Sequence, residues 1–233
     1  MVWGMALPGK FGEFFPDGNY VGWKDELTAY FDNQMSAERK ALFEPPIAAQ
    51  YIYYAAMNLI TEPGLKHEGI PPFGPIAAHE APKRFECETK YVSLGALTKL
   101  TGQILAVDES LKNVIESVEP GVHHFSPIEI TMLKKIYPKK YFVIAIRQYL
   151  DSFLPEKSDP GSWGHSSIDG FYHYEEDKRH MARLAMSRDS FGNAHLWCER
   201  RMSSALVCFS NQLITEITRL GLRLPKHFKL KEV

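Results

Sequence analysis

The sequence predicts an α+β protein: largely antiparallel sheet with packed helices, preceded by a helical region rich in proline and glycine. Three observations predict it. His124 to Met132 alternates apolar and polar residues, and Tyr141 to Ile146 is a continuous β-rich apolar run; a period of two is that of strands. The stretches after Asp108 and Ser210 carry apolar residues at helical spacing, as one buried helix face requires. Before residue 85 the breakers are dense: Pro45-Pro46, Pro63-Gly64, Pro71-Pro72, Gly74-Pro75 and Pro82. The expected division is therefore 1–84 and 85–233.

In the first region, Lys24 to Phe43 places Leu27, Tyr30, Phe31, Met35 and Leu42 in helical spacing, and Ile47 to Leu59 is apolar on most sides, as a buried helix would be. Thr61 to Ala81 is a long connection stiffened by proline. In the second region Asp108 is placed to cap a helix with Leu111, Val114, Ile115 and Val118 on one face, ended by Pro120-Gly121. The strand His124–Met132 follows, with Ile128, Ile130 and Met132 on its buried face. Leu133 to Lys140 is the long tip of a hairpin returning through the central strand Tyr141–Ile146. Leu154 to Gly170 reads as a polar loop, and His180–Met186, Ala194–Cys198 and Ala205–Phe209 read as strands. Ser210 caps the last helix, with Leu213, Ile214, Ile217 and Leu220, and Gly221 lies just past its end. Residues 227–233 close the chain as a strand.

The units 107–132 and 205–233 look alike. Leu111, Ile115 and Val118 stand at the same offsets from Asp108 as Leu213, Ile217 and Leu220 from Ser210, and Gly121-Val122 and His124-Phe125 echo Gly221-Leu222 and His227-Phe228. Any amphipathic helix gives those offsets, so a decayed duplication and two independent strand–helix–strand units both remain open.

Composition narrows function. With 45% hydrophobic residues among 233, the chain can bury a substantial core without disulfides. Cys87, Cys198 and Cys208 are odd in number and widely spaced, which fits free thiols in a reducing compartment. Lysine and arginine number 27 against 28 aspartates and glutamates, so no global charge points to nucleic acid. Lys134, Lys135, Lys139 and Lys140 do form a local basic knot beside Tyr137-Pro138, as a solvated hairpin tip would. The start, interrupted by Pro8, Gly9 and Lys10, is not that of a signal peptide, and no apolar stretch reaches membrane-spanning length. The expected location is the cytoplasm.

No catalytic pattern stands out. Gly9-Lys10 lacks the glycine and hydroxyl residue of a phosphate loop, and His79-Glu80 has no second histidine four residues on. His165, His173 and His180, with Glu175, Glu176 and Asp177, are the densest group of potential metal ligands, at no common zinc spacing. They leave a metal-dependent hydrolase using the His165–His180 segment as an alternative. Cys198 and His195, three apart on a strand, face opposite sides. No catalytic residue, cofactor or metal is expected. Trp163, Phe171, Tyr172 and Tyr174 stud a loop rich in glycine, serine and histidine; aromatics there serve either as anchors of a protein interface or as ordinary core.

Residues 75–233 resemble a known family. Val107 to Ile130 (VDESLKNVIESVEPGVHHFSPIEI), Tyr141 to Ser158 (YFVIAIRQYLDSFLPEKS) and Ala194 to Val233, with its HLW followed by a strand, a Ser-capped helix and a closing strand, are similar to the bacterial immunity-protein family numbered eleven, once known only as a domain of unknown function. Arg147-Gln148 departs from the family's usual pattern at the exit of the central strand. The resemblance implies a non-catalytic antidote that binds and neutralises a cognate secreted toxin, an interbacterial effector such as a type VI secretion substrate. It implies no catalytic residues; on charge balance and hydropathy neither nucleic acid nor membrane is expected, and Trp163, Phe171, Tyr172 and Tyr174 are the expected partner-binding residues. A structural module of a secretion assembly is the remaining alternative.

Overall fold

The fold depends on two mixed sheets that face each other. The computed structural model describes residues 1–233. Strands β1 (Val2–Met5) and β2 (Gly18–Tyr20) precede helices α1 (Trp23–Asn33), α2 (Ala37–Lys40) and α3 (Ala48–Asn58). Then come β3 (Arg84–Cys87), β4 (Leu97–Lys99), β5 (Leu105–Asp108), α4 (Glu109–Val118), β6 (His124–Met132), β7 (Lys135–Ile136) and β8 (Tyr141–Ala145). The remainder is β9 (Tyr149–Leu150), β10 (Trp163–His165), β11 (Tyr172–Tyr174), α5 (Lys178–Met181), β12 (Ala185–Met186), α6 (Arg188–Phe191), β13 (Leu196–Glu199), β14 (Val207–Ser210), α7 (Asn211–Arg219) and β15 (His227–Glu232). The first sheet runs β2-β3-β6-β8-β5-β4, with β7 on the end of β6, and the second runs β12-β15-β1-β14-β13-β9. All strand pairs are antiparallel except β3–β6, β12–β15 and β9–β13. The fold is α+β.

Three apolar clusters hold these layers. Leu27 and Phe31 of α1 and Tyr51 and Tyr54 of α3 cover one face of the first sheet, against Phe85, Ile128, Ile130 and Val143. The second cluster lies between the sheets: Leu105, Val107 and Ile144 meet Met5, Val207 and Phe209, closed by Leu111 and Ile115 of α4 and Leu213 and Ile217 of α7. The third lies on the outer face of the second sheet, where Trp197, Cys208 and Leu230 receive Tyr172, Tyr174 and Met181. Tyr141 to Ile146 is apolar throughout because successive side chains feed opposite, equally buried faces.

Both helix caps form as the sequence predicts. The Leu111 amide donates to Asp108 Oδ1 at 2.9 Å and the Leu213 amide to Ser210 Oγ at 3.1 Å, each satisfying an otherwise orphan N–H. Four elements differ. Within the expected tip 133–140, Lys135 and Ile136 pair back onto β6 as β7, and within the expected loop 154–170, Trp163 to His165 pair with β11 as β10. The stretch 24–43 is broken after Asn33, because Ser36 starts a separate helix by accepting from the Arg39 amide. His180–Met186 is mostly not a strand: Asp177 caps the short α5, and only Ala185 and Met186 pair with β15.

The two units are geometric counterparts. In the first, β3 lies parallel to β6, β8 runs antiparallel between β6 and β5, and β4 lies antiparallel beyond β5. In the second, β12, β15, β1, β14 and β13 repeat that order and those senses. Asp108 opposite Tyr141 corresponds to Ser210 opposite Val2, and Ile128 opposite Tyr141 to Leu230 opposite Val2. This register aligns Phe125 with His227, so the His-Phe pairs and the glycines of the two exits are not equivalent positions. The chain's first strand does in the second unit what β8 does in the first. Replacing fully buried Met5 with alanine is expected to cost about 2–5 kcal/mol, read by urea unfolding; a change under about 1 kcal/mol would show that β1 is not built into the core.

Candidate partner-binding surface

The four aromatics singled out in the sequence come together on the β10–β11 hairpin, where Trp163 stands opposite Tyr174 and His165 opposite Tyr172. Their exposure differs. Tyr172 and Tyr174 are 8% and 7% exposed and belong to the third cluster. Arg201 donates to the Tyr172 hydroxyl at 2.7 Å, and the Tyr174 hydroxyl donates to the Ala205 carbonyl at 3.3 Å. Alternation along a two-stranded ribbon turns these rings onto the sheet beneath. Trp163 and Phe171 are half-buried; the Trp163 ring stands edge-on to Phe153 and Tyr172 at 5.9 and 5.2 Å.

The neighbouring histidines do not converge. His165 and His173 are exposed, and His180 Nδ1 pairs with Asp177 at 2.8 Å. No group of three or more His, Cys, Asp or Glu side chains is arranged to hold a metal ion. His195 is occupied with Ser210 Oγ at 2.7 Å, while burial pushes the Cys198 thiol up to about 12. Glu80, fully buried, accepts from the Ala77 amide, the Tyr51 hydroxyl and Arg39, and His79 stacks on Tyr30 at 3.7 Å. That cluster ties the N-terminal helices to residues 77–80. An apolar cavity of about 60 Å³ between the sheets, lined by Leu59, Ile146, Tyr149 and Val207 among others, is far below the volume of a small-molecule site.

The most open apolar surface lies at the tip of β6 and β7. Met132 pairs with Lys135, leaving Leu133 and Lys134 as a two-residue turn with φ of 50° and 64°. Both residues are left-handed, as a type I′ turn requires, and neither is the glycine or asparagine that adopts this shape without strain. Leu133 is 59% exposed and Ile136 67%, and Val92 from the facing loop stands fully in solvent. These three line a cleft of about 380 Å³ together with Lys90, Lys135 and Lys139. A second cleft, of about 530 Å³, shares the wall Ile136–Lys139 and adds Lys83, Glu129 and Lys140. The Leu94 amide donates to the Tyr137 hydroxyl at 3.0 Å and the Tyr137 amide to the Ile130 carbonyl at 2.8 Å, so the tip is fastened at its base. The sequence shows the lysines; it does not show Val92 beside Leu133. A two-residue Leu-Lys turn, where Asn-Gly is the norm, is the signal that marks the place.

The tip stands on a frame locked by a buried carboxylate. Glu119 ends α4. Its Oε1 accepts from Gln148 Nε2 at 2.7 Å and the His195 amide at 2.6 Å, and its Oε2 from the Leu196 amide at 2.9 Å and His123 Nε2 at 3.0 Å. His123 Nδ1 accepts the Arg147 amide, which leaves the ring proton on Nε2 to donate. Burial alone would raise the Glu119 pKa; the bonds from His123, the His195 amide and Gln148 outweigh it and hold the carboxyl below its ordinary range. Arg147 donates to the Asn58 and Gly74 carbonyls at 2.9 and 2.7 Å. The Arg147-Gln148 pair thus clamps α3 and the second sheet to the exit of β8.

The family model of the Immunity protein family (Imm11) matches residues 29–231. The chain belongs to the Imm11 family. The Imm11 match begins well upstream of residue 75, taking in the C-terminal part of α1 and all of α2 and α3, and it includes the tip, the aromatic hairpin and the Glu119 joint. A search of curated proteins finds no match. No helix of this Imm11 protein is long and apolar enough to cross a membrane.

Glu119→Gln places an amide N–H against a backbone N–H donor and is expected to cost about 2–4 kcal/mol near neutral pH. The folded carboxyl ionises below the unfolded value of about 4.3, so its contribution is present above that value and is lost as pH falls through the folded one. Urea unfolding across pH should therefore show the gap between wild type and variant closing below about pH 4; a gap independent of pH would contradict the assignment.

Proposed function

We propose that this protein is an antidote that binds a cognate toxin and neutralises it without catalysing a reaction. The toxin is a secreted interbacterial effector, such as a type VI secretion substrate, and the antidote acts in the cytoplasm of the producing cell. The observation that carries this reading is the Imm11 match across residues 29–231.

The structure supports it in kind. An antidote needs a rigid body and an outward surface with an apolar centre, because a stable complex buries about 1,200–2,000 Å² and draws its affinity from a few anchors. The frame around Glu119 supplies rigidity, and exposed Leu133, Ile136 and Val92 supply apolar surface. Trp163 and Phe171 keep some ring surface to offer as well; Tyr172 and Tyr174 are committed to the core.

Co-expression with the protein encoded by the adjacent gene tests the reading. The expected result is restored growth of cells otherwise arrested by that protein, together with co-elution of the two as a stoichiometric complex. Arrest that persists, with the two eluting separately, would overturn it.

A further inference from the structure

The β6–β7 tip joins three features that the fold itself does not need. The first is exposed apolar area: Leu133, Ile136 and Val92 lie around one cleft and are more than half in solvent. The second is charge. Lys139 pairs with Asp108, Lys140 with Glu109 and Lys83 with Glu26, whereas Lys90, Lys134 and Lys135 form no ion pair. Glu129 is the one acidic residue lining either cleft. The third is strain. Leu133 and Lys134 hold left-handed backbone that glycine or asparagine would adopt more easily, so the turn holds an aliphatic side chain outward at the expense of local stability.

An apolar centre with a cationic rim is the pattern of a protein interface, in which the centre gives affinity and the rim gives encounter rate and choice of partner. It is a poor match to a nucleic-acid face. Phosphates gain nothing from Leu133, Ile136 and Val92, and the cations around both clefts are all lysines, which can neutralise phosphates but lack the arginine fork that reads base edges. Resting on the antidote reading, we infer that the toxin docks on this tip through an acidic face with an apolar recess that receives Leu133 and Ile136.

The test uses the full chain, the adjacent-gene toxin in a catalytically inactivated form, and surface plasmon resonance. Lys90→Glu/Lys134→Glu/Lys135→Glu is expected to slow association at least about tenfold, with the wild-type rate falling as salt rises. Leu133→Asn/Lys134→Gly installs the turn pair that type I′ geometry favours; it is expected to raise the melting temperature while weakening affinity at least about tenfold. A residue with a merely structural role would not separate those two readouts. If wild type binds and both variants bind equally well, the docking site is overturned while the antidote reading stands. The docking site is likewise overturned if Trp163→Ala or Phe171→Ala abolishes binding and the tip variants do not. If wild type fails to bind the toxin, both fall. A lysine-dependent shift of duplex DNA at physiological salt would overturn protein docking in favour of a nucleic-acid site.

Discussion

One buried carboxylate holds the two halves of this protein in register. Glu119 leaves the end of α4 and takes four donors at once: two consecutive amides at the start of β13, the Gln148 amide group beyond β8, and His123 at the root of β6. Gln148 also donates to the Leu196 carbonyl at 3.0 Å, so the joint closes on itself. The cluster between the sheets is built of apolar side chains, whose contacts resist separation but do not fix alignment. Directional bonds to an ionised group do both, because each donor left unpaired in a dry interior would be costly. Glu199 does a smaller version of the same work, binding the Ser152 and Phe153 amides and the Ser152 hydroxyl beside Trp197, though there burial prevails and the carboxyl is pushed up.

The paired architecture follows from that alignment. Each half is a strand–helix–strand unit whose two parallel strands are spaced by one antiparallel strand, and each helix is capped by the last residue of its first strand. Helices α4 and α7 then pack on one another within the inner cluster. The middle strand comes from immediately downstream in one unit and from the opposite end of the chain in the other, which ties Val2 and Met5 to residues about two hundred positions or more away.

What the sequence shows and hides divides along the same line. Elements that satisfy themselves locally are legible: the Asp108 and Ser210 caps, the helical stripes behind them, and the long alternating strand His124–Met132. Short strands such as Val2–Met5 and Leu97–Lys99 carry too few residues to show a period; pairing with distant partners makes them strands. For the same reason Tyr172 and Tyr174 look like free loop aromatics until the hairpin folds onto β13 and β14. The basic knot at 134–140 is visible, but its meaning depends on Val92, which arrives from about forty residues upstream. Arg147 and Gln148 are visible only as a departure from the family's pattern; their role as clamps appears once Asn58, Gly74 and Glu119 are brought around them.

On the antidote reading, function belongs to the outside of a locked frame. Within the frame the ionisable groups are matched to donors and acceptors, while the tip carries unpaired lysines, bare aliphatic surface and a turn in a conformation its residues disfavour. Amide hydrogen exchange, comparing the free protein with its complex with the proposed toxin partner, tests this division most directly. The account predicts slowed exchange at residues 88–94 and 130–140 with β1, β13 and β14 unchanged; protection confined to the aromatic hairpin, or spread evenly through the sheets, would contradict it.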